Sequence, residues 1–435
     1  MVKLKAGPAR AVAAAGARAL AAGVPAPQPA GLVSRLVANG VVAEVAPVFS
    51  VDPPQGRTPA RASRRALAME ALSGGAFPLS AKRARGLTSL RIERGWNAAQ
   101  VARDLMADPE VEYAYVPAVK YPAAAKSPAK SKRPVRRKRS KATGVDPLSA
   151  RQWSHAAIHI HEARQRAGFR DAADVLVAVV DSGIDRQHPD LAAAIEHFVN
   201  FLAPAEDDRD YKGHGTHVAG IIAAVINNSI GIAGLCKARL AVLKALPRGG
   251  DWNAAAYYRA LAHPIDLQAK VVNLSLGGSF DPGEEDVIRD LLDAGIVVVA
   301  AMGNEFEEGN ATSYPAAYPG VIAVGATDEA DRRASFSCTG PHIALMAPGE
   351  RILSTVPTYP SELAATTSYD SWPGTSMATP HVVAAAALLL AKSPGLTPAD
   401  VKSRLAKSAD RVKWQQSRPN DEYGWGRLNV LRALG

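Results

Sequence analysis

The sequence has few cysteines, few aromatic residues and no long hydrophobic run. Only two of its 435 residues are cysteine, Cys236 and Cys338, which is too few for a disulfide framework. The longest uncharged apolar stretch, 382–391, is about half as long as a membrane-spanning helix needs. Because 47% of the residues are hydrophobic, the chain as a whole is not expected to be disordered. These features predict a globular protein that has no membrane span and does not depend on disulfides.

The excess of positive charge belongs to the N-terminal third of the chain. The net charge is +10, and residues 1–141 carry 25 Lys and Arg against 8 Asp and Glu. The remainder carries 26 basic and 33 acidic residues and is therefore acidic. Nine basic residues lie in 126–141, which lacks acidic residues and apolar periodicity and is typical of a solvated linker. A basic DNA-binding arm is the alternative, but no aromatic residues or recognition helix accompany the run. We therefore expect no nucleic-acid partner.

Three segments are predicted before the main domain. Residues 1–30 have a basic start and an alanine-rich middle, the outline of a signal peptide, although Arg18 interrupts it; the alternative is a flexible N-terminus. Residues 31–122 contain a predicted strand, amphipathic helix and strand at 87–92, 97–106 and 111–116. This pattern predicts a small α+β domain, followed by a basic flexible linker at 123–147.

Residues 148–435 alternate apolar runs with helical segments. The runs are almost unbroken, as in strands that are covered on both faces. They lie at 175–180, 240–246, 271–276, 296–301 and 321–324. Helical spacing is found between them, at 216–226, 253–262 and 284–293. The alternation predicts βαβ units, and hence an α/β fold with a mainly parallel sheet flanked by helices on both faces. Catalytic groups are expected at the carboxyl ends of the strands.

An acid and a base stand at predicted element ends. Asp181 directly follows the run VLVAVV, and considered alone it could equally be a turn or capping aspartate. His214 lies in KGHGTHVAG, where a glycine stands on either side and an apolar helix follows, which suits a general base. His214 and His217 could also form a metal pair, but no further ligand of a closed zinc site stands at helical spacing. We interpret His217 as a core histidine of the helix.

A nucleophile and an amide donor occupy similar positions. Ser376 lies in PGTSMATPHVVA at the start of a long apolar helix, where backbone N–H groups can hold a developing oxyanion. Its alternative role is an N-cap serine. Asn304 ends VVVAAMGNE and could supply a second oxyanion donor, or could be a turn asparagine. Together the four residues form an Asp, His, Ser constellation in a known chain order.

The segments around these residues resemble the subtilase family of serine peptidases. The similar segments run in the family's order over about residues 150–430 and are VVDSGIDRQHPDL, GHGTHVAG, NNSIGIAG, NLSLGGS, AAMGN, VIAVGAT, APG, GTSMATPHVVA and EYGWGRLNV. The resemblance implies a serine endopeptidase acting on proteins or peptides and expected to be a monomer. Asp181 would orient His214, His214 would be general base and acid, and Ser376 would be the nucleophile. Asn304 would stabilise the oxyanion together with the backbone N–H of Ser376.

The resemblance also implies a substrate cleft. Ser275, Leu276, Gly277 and Gly278 would line one wall of the primary specificity pocket and pair with the substrate backbone, and Ser313 would form the floor. Small walls of this kind favour apolar or aromatic residues before the scissile bond. Met302 departs from the family, which usually has a small residue there, and this changes the expected shape of the pocket.

The N-terminal region resembles the family's inhibitory propeptide, mainly through DPEVEYAYVPAVKYP. The protein would then be a precursor that is inhibited by its own propeptide and processes itself within 121–150. An acidic catalytic part would attract a basic N-terminal part. The propeptide-like region favours secretion, and a cytoplasmic location is the alternative. An inactive peptide-binding homologue is a rival interpretation, and the intact set of four residues argues against it.

The loop INNSIGIAG predicts a calcium site. The amide of Asn228 and the carbonyls of Ile226, Ile230 and Ile232 offer hard oxygen ligands, and the carboxylate of Asp190 would complete the charge. These five match the family's calcium site, and Gln152 would supply a sixth oxygen. The alternative is an ordinary turn beside a surface aspartate.

Overall fold

The computed structural model describes residues 1–4, 42–47, 87–92, 97–106, 111–123, 145–249 and 252–435. These residues form two compact units. The first contains the described residues up to Ala118, with 254–262 and 281–290, and the second contains the other described residues. The basic run 126–141 and all of the segment 1–30 beyond Leu4 lie outside the described residues.

A four-stranded antiparallel sheet and one helix form the N-terminal part of the first unit. Its elements are β1 (Val2–Leu4), β2 (Val42–Pro47), β3 (Leu87–Ile92), α1 (Ala98–Met106) and β4 (Val111–Ala114). The strand order is β2-β3-β1-β4. Val101 and Leu105 of α1 are buried against Val2 and Val111. The sequence pattern predicted β3, α1 and β4 but neither β1 nor β2, because β1 lies in the segment expected to be a signal or flexible N-terminus and its partners are remote in sequence.

The rest of the chain alternates strands with helices. The strands are β5 (Tyr121–Pro122), β6 (Leu176–Asp181), β7 (Ile195–Asn200), β8 (Arg239–Lys244), β9 (Val271–Leu274), β10 (Leu276–Gly277), β11 (Val297–Ala301), β12 (Ile322–Thr327), β13 (Ile343–Pro348), β14 (Ile352–Val356) and β15 (Ser368–Trp372). The helices are α2 (Trp153–Ala157), α3 (Ile160–Arg164), α4 (His214–Ala223), α5 (Ala254–Asp266), α6 (Pro282–Asp293), α7 (Thr375–Lys392), α8 (Pro398–Ser408) and α9 (Val430–Leu434).

A seven-stranded parallel sheet organises the second unit. Its order is β13-β12-β11-β9-β6-β8-β7, and every neighbouring pair is parallel. The five predicted strands, β6, β8, β9, β11 and β12, form its contiguous centre. The edge strand β7 was not predicted, because its sequence IEHFVN is partly polar; the other edge strand, β13, is apolar and was also missed. The sheet and its connecting helices confirm the predicted α/β fold.

Helix α7 runs through the core of the second unit. Its residues from Thr375 to Ala391 are buried, and it packs against α4 and against four strands of the parallel sheet. Among the residues that the structure describes, α7 alone has the length and apolarity that could cross a membrane, but 94% of that stretch is buried inside the protein. A core helix of this composition meets the same criterion, so the finding is weak support for a span.

Two tyrosines connect the N-terminal sheet of the first unit with the parts of α5 and α6 that belong to it. The Tyr113 hydroxyl donates to Asp286 at 2.7 Å, and the hydroxyls of Tyr115 and Tyr258 lie 2.8 Å apart. Tyr258 in turn donates to Asp281 at 2.6 Å. Hydrogen bonds to carboxylates are stronger than those between neutral groups, so these contacts specify how β4 and the following residues pack within the unit.

Candidate active site

Asp181 and His214 form a fully buried pair. Asp181 is the last residue of β6 and His214 is the first residue of α4. The Nδ1 atom of His214 lies 2.8 Å from Oδ1 and 3.0 Å from Oδ2 of Asp181. A carboxylate accepts, so Nδ1 carries a proton, and Nε2 is the ring nitrogen that can act as a base. Nε2 is buried and has no partner among the described residues.

A buried aspartate that the sequence analysis missed holds the turn before His214. Asp210 accepts hydrogen bonds from the backbone N–H groups of Gly213 and Thr216 and from the hydroxyls of Ser182 and Thr216. Gly213 has a φ of 79°, which favours glycine. Burial raises the pKa of Asp210, and its hydrogen bonds oppose that shift. The only sequence signal for this role was the position of Asp210, six residues before Thr216 near the start of α4.

Ser376 is the second residue of α7 and lies beside the strand that follows β9. Its hydroxyl donates to the Ser275 carbonyl at 2.9 Å, and the Ser275 hydroxyl donates to the Ser376 carbonyl at 2.9 Å. Ser376, the candidate nucleophile, is therefore held by Ser275 in this conformation. Among the described residues, the Ser376 hydroxyl makes no hydrogen bond to His214. The Ser376 hydroxyl would have to leave the Ser275 carbonyl before its proton could be given to Nε2.

Asn304 presents one end of its amide to α7 and leaves the other end unpaired. Its Oδ1 atom accepts from the backbone N–H and the hydroxyl of Thr375, both at 2.9 Å. Oδ1 is thereby assigned by its donors, and Nδ2 must be the opposite atom. Nδ2 is buried without a partner in the described part of the chain. An orphaned donor is costly unless it serves a ligand, so Nδ2 is positioned to receive an oxygen.

His217, the second histidine of α4, has different surroundings. Its ring stacks on Trp372 at a centroid distance of 4.5 Å and an angle of 4°. Its Nε2 atom lies 3.3 Å from the Asp370 carbonyl. Burial lowers the pKa of His217 to about 3, with the nearby His214 acting in the same direction. His217 is therefore a neutral core histidine at ordinary pH. Among the described residues, no group of three or more His, Cys, Asp or Glu side chains is arranged to hold a metal ion.

An extended segment of the chain lies along the Ser275 to Gly278 wall. Strand β5 pairs antiparallel with β10, so that Tyr121 is opposite Gly277 and Pro122 is opposite Leu276. The Ala123 N–H donates to the Ser275 carbonyl at 3.2 Å. The Ala123 carbonyl in turn accepts from the backbone N–H of Ser376 at 3.1 Å. Residues 121–123 thus have the hydrogen-bonding pattern of a peptide added to a sheet edge.

Gly277 and Gly278 lie so close to neighbouring groups that a side chain at either position would collide with them. A Cβ atom at Gly277 would lie 2.5 Å from Oγ of Ser313, and one at Gly278 would lie 2.6 Å from the Val119 carbonyl oxygen. Ser313 also lies below Gly303, since a Cβ there would be 3.1 Å from the Ser313 Cβ. The Ser313 hydroxyl is buried without a partner among the described residues. Met302 is fully buried, and its methyl end approaches Gly340.

The predicted calcium ligands lie around one loop. Asp190 is fully buried and accepts from Nδ2 of Asn228 at 2.7 Å and from the Ile232 N–H at 3.0 Å. Tyr369, which the sequence analysis missed, donates its hydroxyl to Asp190 at 3.2 Å. Gln152 pairs with both backbone groups of Ala233. Burial raises the pKa of Asp190 to about 6.

Three carbonyl oxygens of this loop remain unpaired. They belong to Ile226, Ile230 and Ile232, and none accepts a hydrogen bond within the described part of the chain. Carbonyl, amide and carboxylate oxygens are the ligands that calcium prefers, so this donor set fits a calcium ion. A divalent cation would also neutralise the buried Asp190 carboxylate.

Comparisons with known proteins agree with one another. The sequence profile of the Subtilase family matches residues 172–426. Subtilisin from Bacillus pumilus is 41% identical over 267 residues, which cover 60% of this chain and 91% of that protein. Subtilisin E from Bacillus subtilis (strain 168) is also 41% identical, with 66% of its length covered by the match to 60% of this chain. Among solved structures, fervidolysin from Fervidobacterium pennivorans, described as a keratinolytic enzyme related to subtilisin, is similar with a TM-score of 0.65 and 26% identity over 81% of this chain and 56% of that chain.

Proposed function

Because the chain belongs to the subtilase family and is a serine endopeptidase, we propose that Asp181, His214 and Ser376 form its catalytic triad. Ser376 Oγ attacks the substrate carbonyl carbon while His214 Nε2 takes its proton, and His214 then gives that proton to the leaving amine. Water then attacks the acyl carbon while His214 Nε2 takes a proton from it, and the bond to Ser376 Oγ breaks as His214 returns that proton to the oxygen. Asp181 keeps the proton on Nδ1 and stabilises the imidazolium. The proposal is supported by the buried Asp181–His214 hydrogen bonds and by the unpaired Nε2.

We further propose that Asn304 Nδ2 and the backbone N–H of Ser376 bind the oxyanion. The observation that supports this is the Ala123 carbonyl, which accepts from the Ser376 N–H in the position of a substrate carbonyl. The Nδ2 atom of Asn304 is a buried donor without a partner among the described residues, and Oδ1 of the same amide binds Thr375, the residue before Ser376. Both donors are prearranged and need little reorganisation as negative charge develops.

Replacing Asn304 with alanine should lower kcat by about 10²- to 10³-fold, because one of two oxyanion donors is lost. KM should change little, since the donor acts mainly on the transition state. The measurement is steady-state kinetics on a chromogenic peptide. Asn304 also holds Thr375, so the thermal unfolding of the variant is compared with that of the parent. A rise in KM alone would contradict the role.

The protein is also proposed to be a precursor that cuts its own chain. The single observation that carries this proposal is the register of 121–123, which sets the Ala123 carbonyl on the Ser376 N–H. The scissile bond would be Ala123–Ala124. Residues N-terminal to this bond would be an intramolecular inhibitor before cleavage and would stay bound noncovalently after it, and the contacts of Tyr113 and Tyr115 with Asp286 and Tyr258 support such retention.

Self-processing should therefore give a mature chain that begins at Ala124. The tethered segment has a high effective concentration at the cleft, so a single turnover within the chain should be fast. The measurement is mass spectrometry of the full chain after expression alone and purification without other proteases. The Ser376→Ala precursor should stay at full length. If it yields the same mature N-terminus as the parent, maturation is not autocatalytic.

We propose calcium as a stabilising ligand at the loop that contains Asn228. The support is the set of three unpaired carbonyls beside Asp190, Asn228 and Gln152. When bound, the ion would hold the loop against the core by neutralising Asp190, and it would take no part in the reaction.

Calcium should stabilise the folded protein. If the ion binds only the folded state, a hundredfold excess over its dissociation constant adds about 2.7 kcal/mol to the free energy of unfolding. The measurement is thermal unfolding of the Ser376→Ala protein, which cannot digest itself, with chelator or with millimolar calcium. Asp190→Asn should remove the response, whereas Asp174→Asn, at an exposed carboxylate, should keep it. If calcium does not change the melting temperature of the Ser376→Ala protein with Asp190 intact, the proposed site is wrong.

A further inference from the structure

Lys120 is a buried lysine that stands between two exposed residues. Its side chain is 4% exposed, whereas its neighbours Val119 and Tyr121 are 59% and 43% exposed. The ammonium group donates to the Ser279 carbonyl at 3.0 Å and to the Tyr314 carbonyl at 3.2 Å. Lysine is rarely buried unless its charge is well satisfied, so this side chain occupies a site built for it.

The register of β5 on β10 gives the place of Lys120 in a substrate. Ala123 presents its carbonyl to the Ser376 N–H and is therefore the residue before the scissile bond. Pro122 and Tyr121 are the second and third residues, and they pair with Leu276 and Gly277. Lys120 is the fourth. In an extended chain alternate side chains point the same way, so Lys120 and Pro122 share one face.

The subsite for the fourth residue is made by two chain segments. One contains Gly278 and Ser279, the other contains Tyr314, and the Tyr314 N–H donates to the Gly278 carbonyl at 2.9 Å. The lysine stem crosses Gly278, since a Cβ at that glycine would lie 2.8 Å from the lysine Cδ. The rings of Phe280 and Tyr314 lie 5.3 Å apart.

The chemistry of this subsite selects a cation. The Ser279 and Tyr314 acceptors are main-chain carbonyl oxygens, so a change of side chain at either residue does not remove the acceptor itself. An apolar side chain of the same length would bury both carbonyls without a donor, and a carboxylate would face their negative ends. An ammonium group satisfies both, and hydrogen bonds to a charged donor are the stronger kind.

We propose that the enzyme recognises lysine at the fourth residue before the scissile bond of its substrates. Its substrate class is then extended peptide segments that carry a lysine at that position. The inference rests on the proposed function, and it assigns selectivity to the Ser279 and Tyr314 carbonyls. The chain's own Lys-Tyr-Pro-Ala segment is the first such substrate.

Two chromogenic peptides test this selectivity on the enzyme produced from the full chain. They are acetyl-Lys-Tyr-Pro-Ala-p-nitroanilide and the same peptide with norleucine in place of lysine. Norleucine keeps the four-carbon stem and lacks the ammonium group, so the hydrogen bonds to the carbonyls of Ser279 and Tyr314 are lost while the stem is kept. We expect kcat/KM to be at least tenfold higher for the lysine peptide, which corresponds to about 1.4 kcal/mol.

The outcomes separate this inference from the function on which it rests. Hydrolysis of denatured casein in the same preparation reports endopeptidase activity without regard to the fourth residue. If casein is cut and the norleucine peptide is hydrolysed as fast as the lysine peptide, or if neither peptide is hydrolysed, lysine selectivity is overturned and the endopeptidase stands. If neither casein nor a peptide is cut, both are overturned.

Discussion

Replacing Ser376 with alanine should lower kcat on a peptide substrate by roughly 10⁴-fold or more and leave the fold intact. The hydroxyl is the proposed attacking group, and the residual rate comes only from binding and the oxyanion donors. Ser376 is fully buried at the start of α7, where alanine is smaller and a good helix former, so the helix should persist. Steady-state hydrolysis of denatured casein and thermal unfolding are measured on the same preparation.

The matched control for this experiment is Ser335→Ala, which removes an exposed serine hydroxyl elsewhere in the chain. That variant should keep the parental kcat. Activity of Ser376→Ala within tenfold of the parent would exclude Ser376 as the nucleophile. A loss of activity accompanied by a loss of cooperative unfolding would indicate a structural defect, and the comparison with Ser335→Ala and the unfolding curve distinguishes these results.

Replacing His214 with alanine should lower kcat by a similar factor, because the proposed general base for Ser376 is lost. The neighbouring His217 provides the matched comparison, since both histidines are fully buried on α4. His217→Ala should instead lower the free energy of unfolding, because its stacking on Trp372 is lost and a cavity is left. Its kcat should stay within about tenfold of the parent. Both variants are assayed for peptide hydrolysis and for denaturant unfolding.

The surroundings of the two imidazoles explain why their replacement should have different effects. Burial lowers the pKa of His217 to about 3, so at neutral pH it cannot hold a second proton during a reaction. Asp181, by contrast, lies against Nδ1 of His214 and would stabilise its protonated form. A larger loss of kcat in His217→Ala than in His214→Ala would show that the wrong imidazole has been assigned.

The sequence predicted the central strands of the parallel sheet because strands that are buried on both faces have unbroken apolar runs. The strands β6, β8, β9, β11 and β12 all belong to this class. The edge strand β7 and the β14–β15 pair were missed; β7 and β15 carry polar residues. Helix α4 begins at His214, two residues before its predicted start. The apolar pattern does not reveal this start, because His214 is flanked by Gly213 and Gly215. Strand β1 depends on partners more than 80 residues away, which no local pattern reveals.

The site was only partly accessible from the sequence. The residues that we propose to carry the chemistry, such as Asp181 and Asn304, stand in distinctive motifs at strand ends. Their supporting partners do not: Asp210 and Thr375 act through hydrogen bonds that depend on the tertiary structure. The rotamer of Ser376 and the burial of Lys120 are likewise set by contacts with residues that are distant in sequence. Such contacts are visible only once the chain is folded.

The burial of α7 has a consequence for how the enzyme would lose its activity. The proposed nucleophile stands on the helix that packs against four strands of the parallel sheet, and it does not lie on a surface loop that could open by itself. Segments with many buried apolar contacts exchange their amide hydrogens only when the whole domain opens. We therefore expect the first turn of α7 to unfold only together with the rest of the domain. Thermal inactivation should then coincide with global unfolding of the catalytic part, without earlier fraying at the proposed nucleophile.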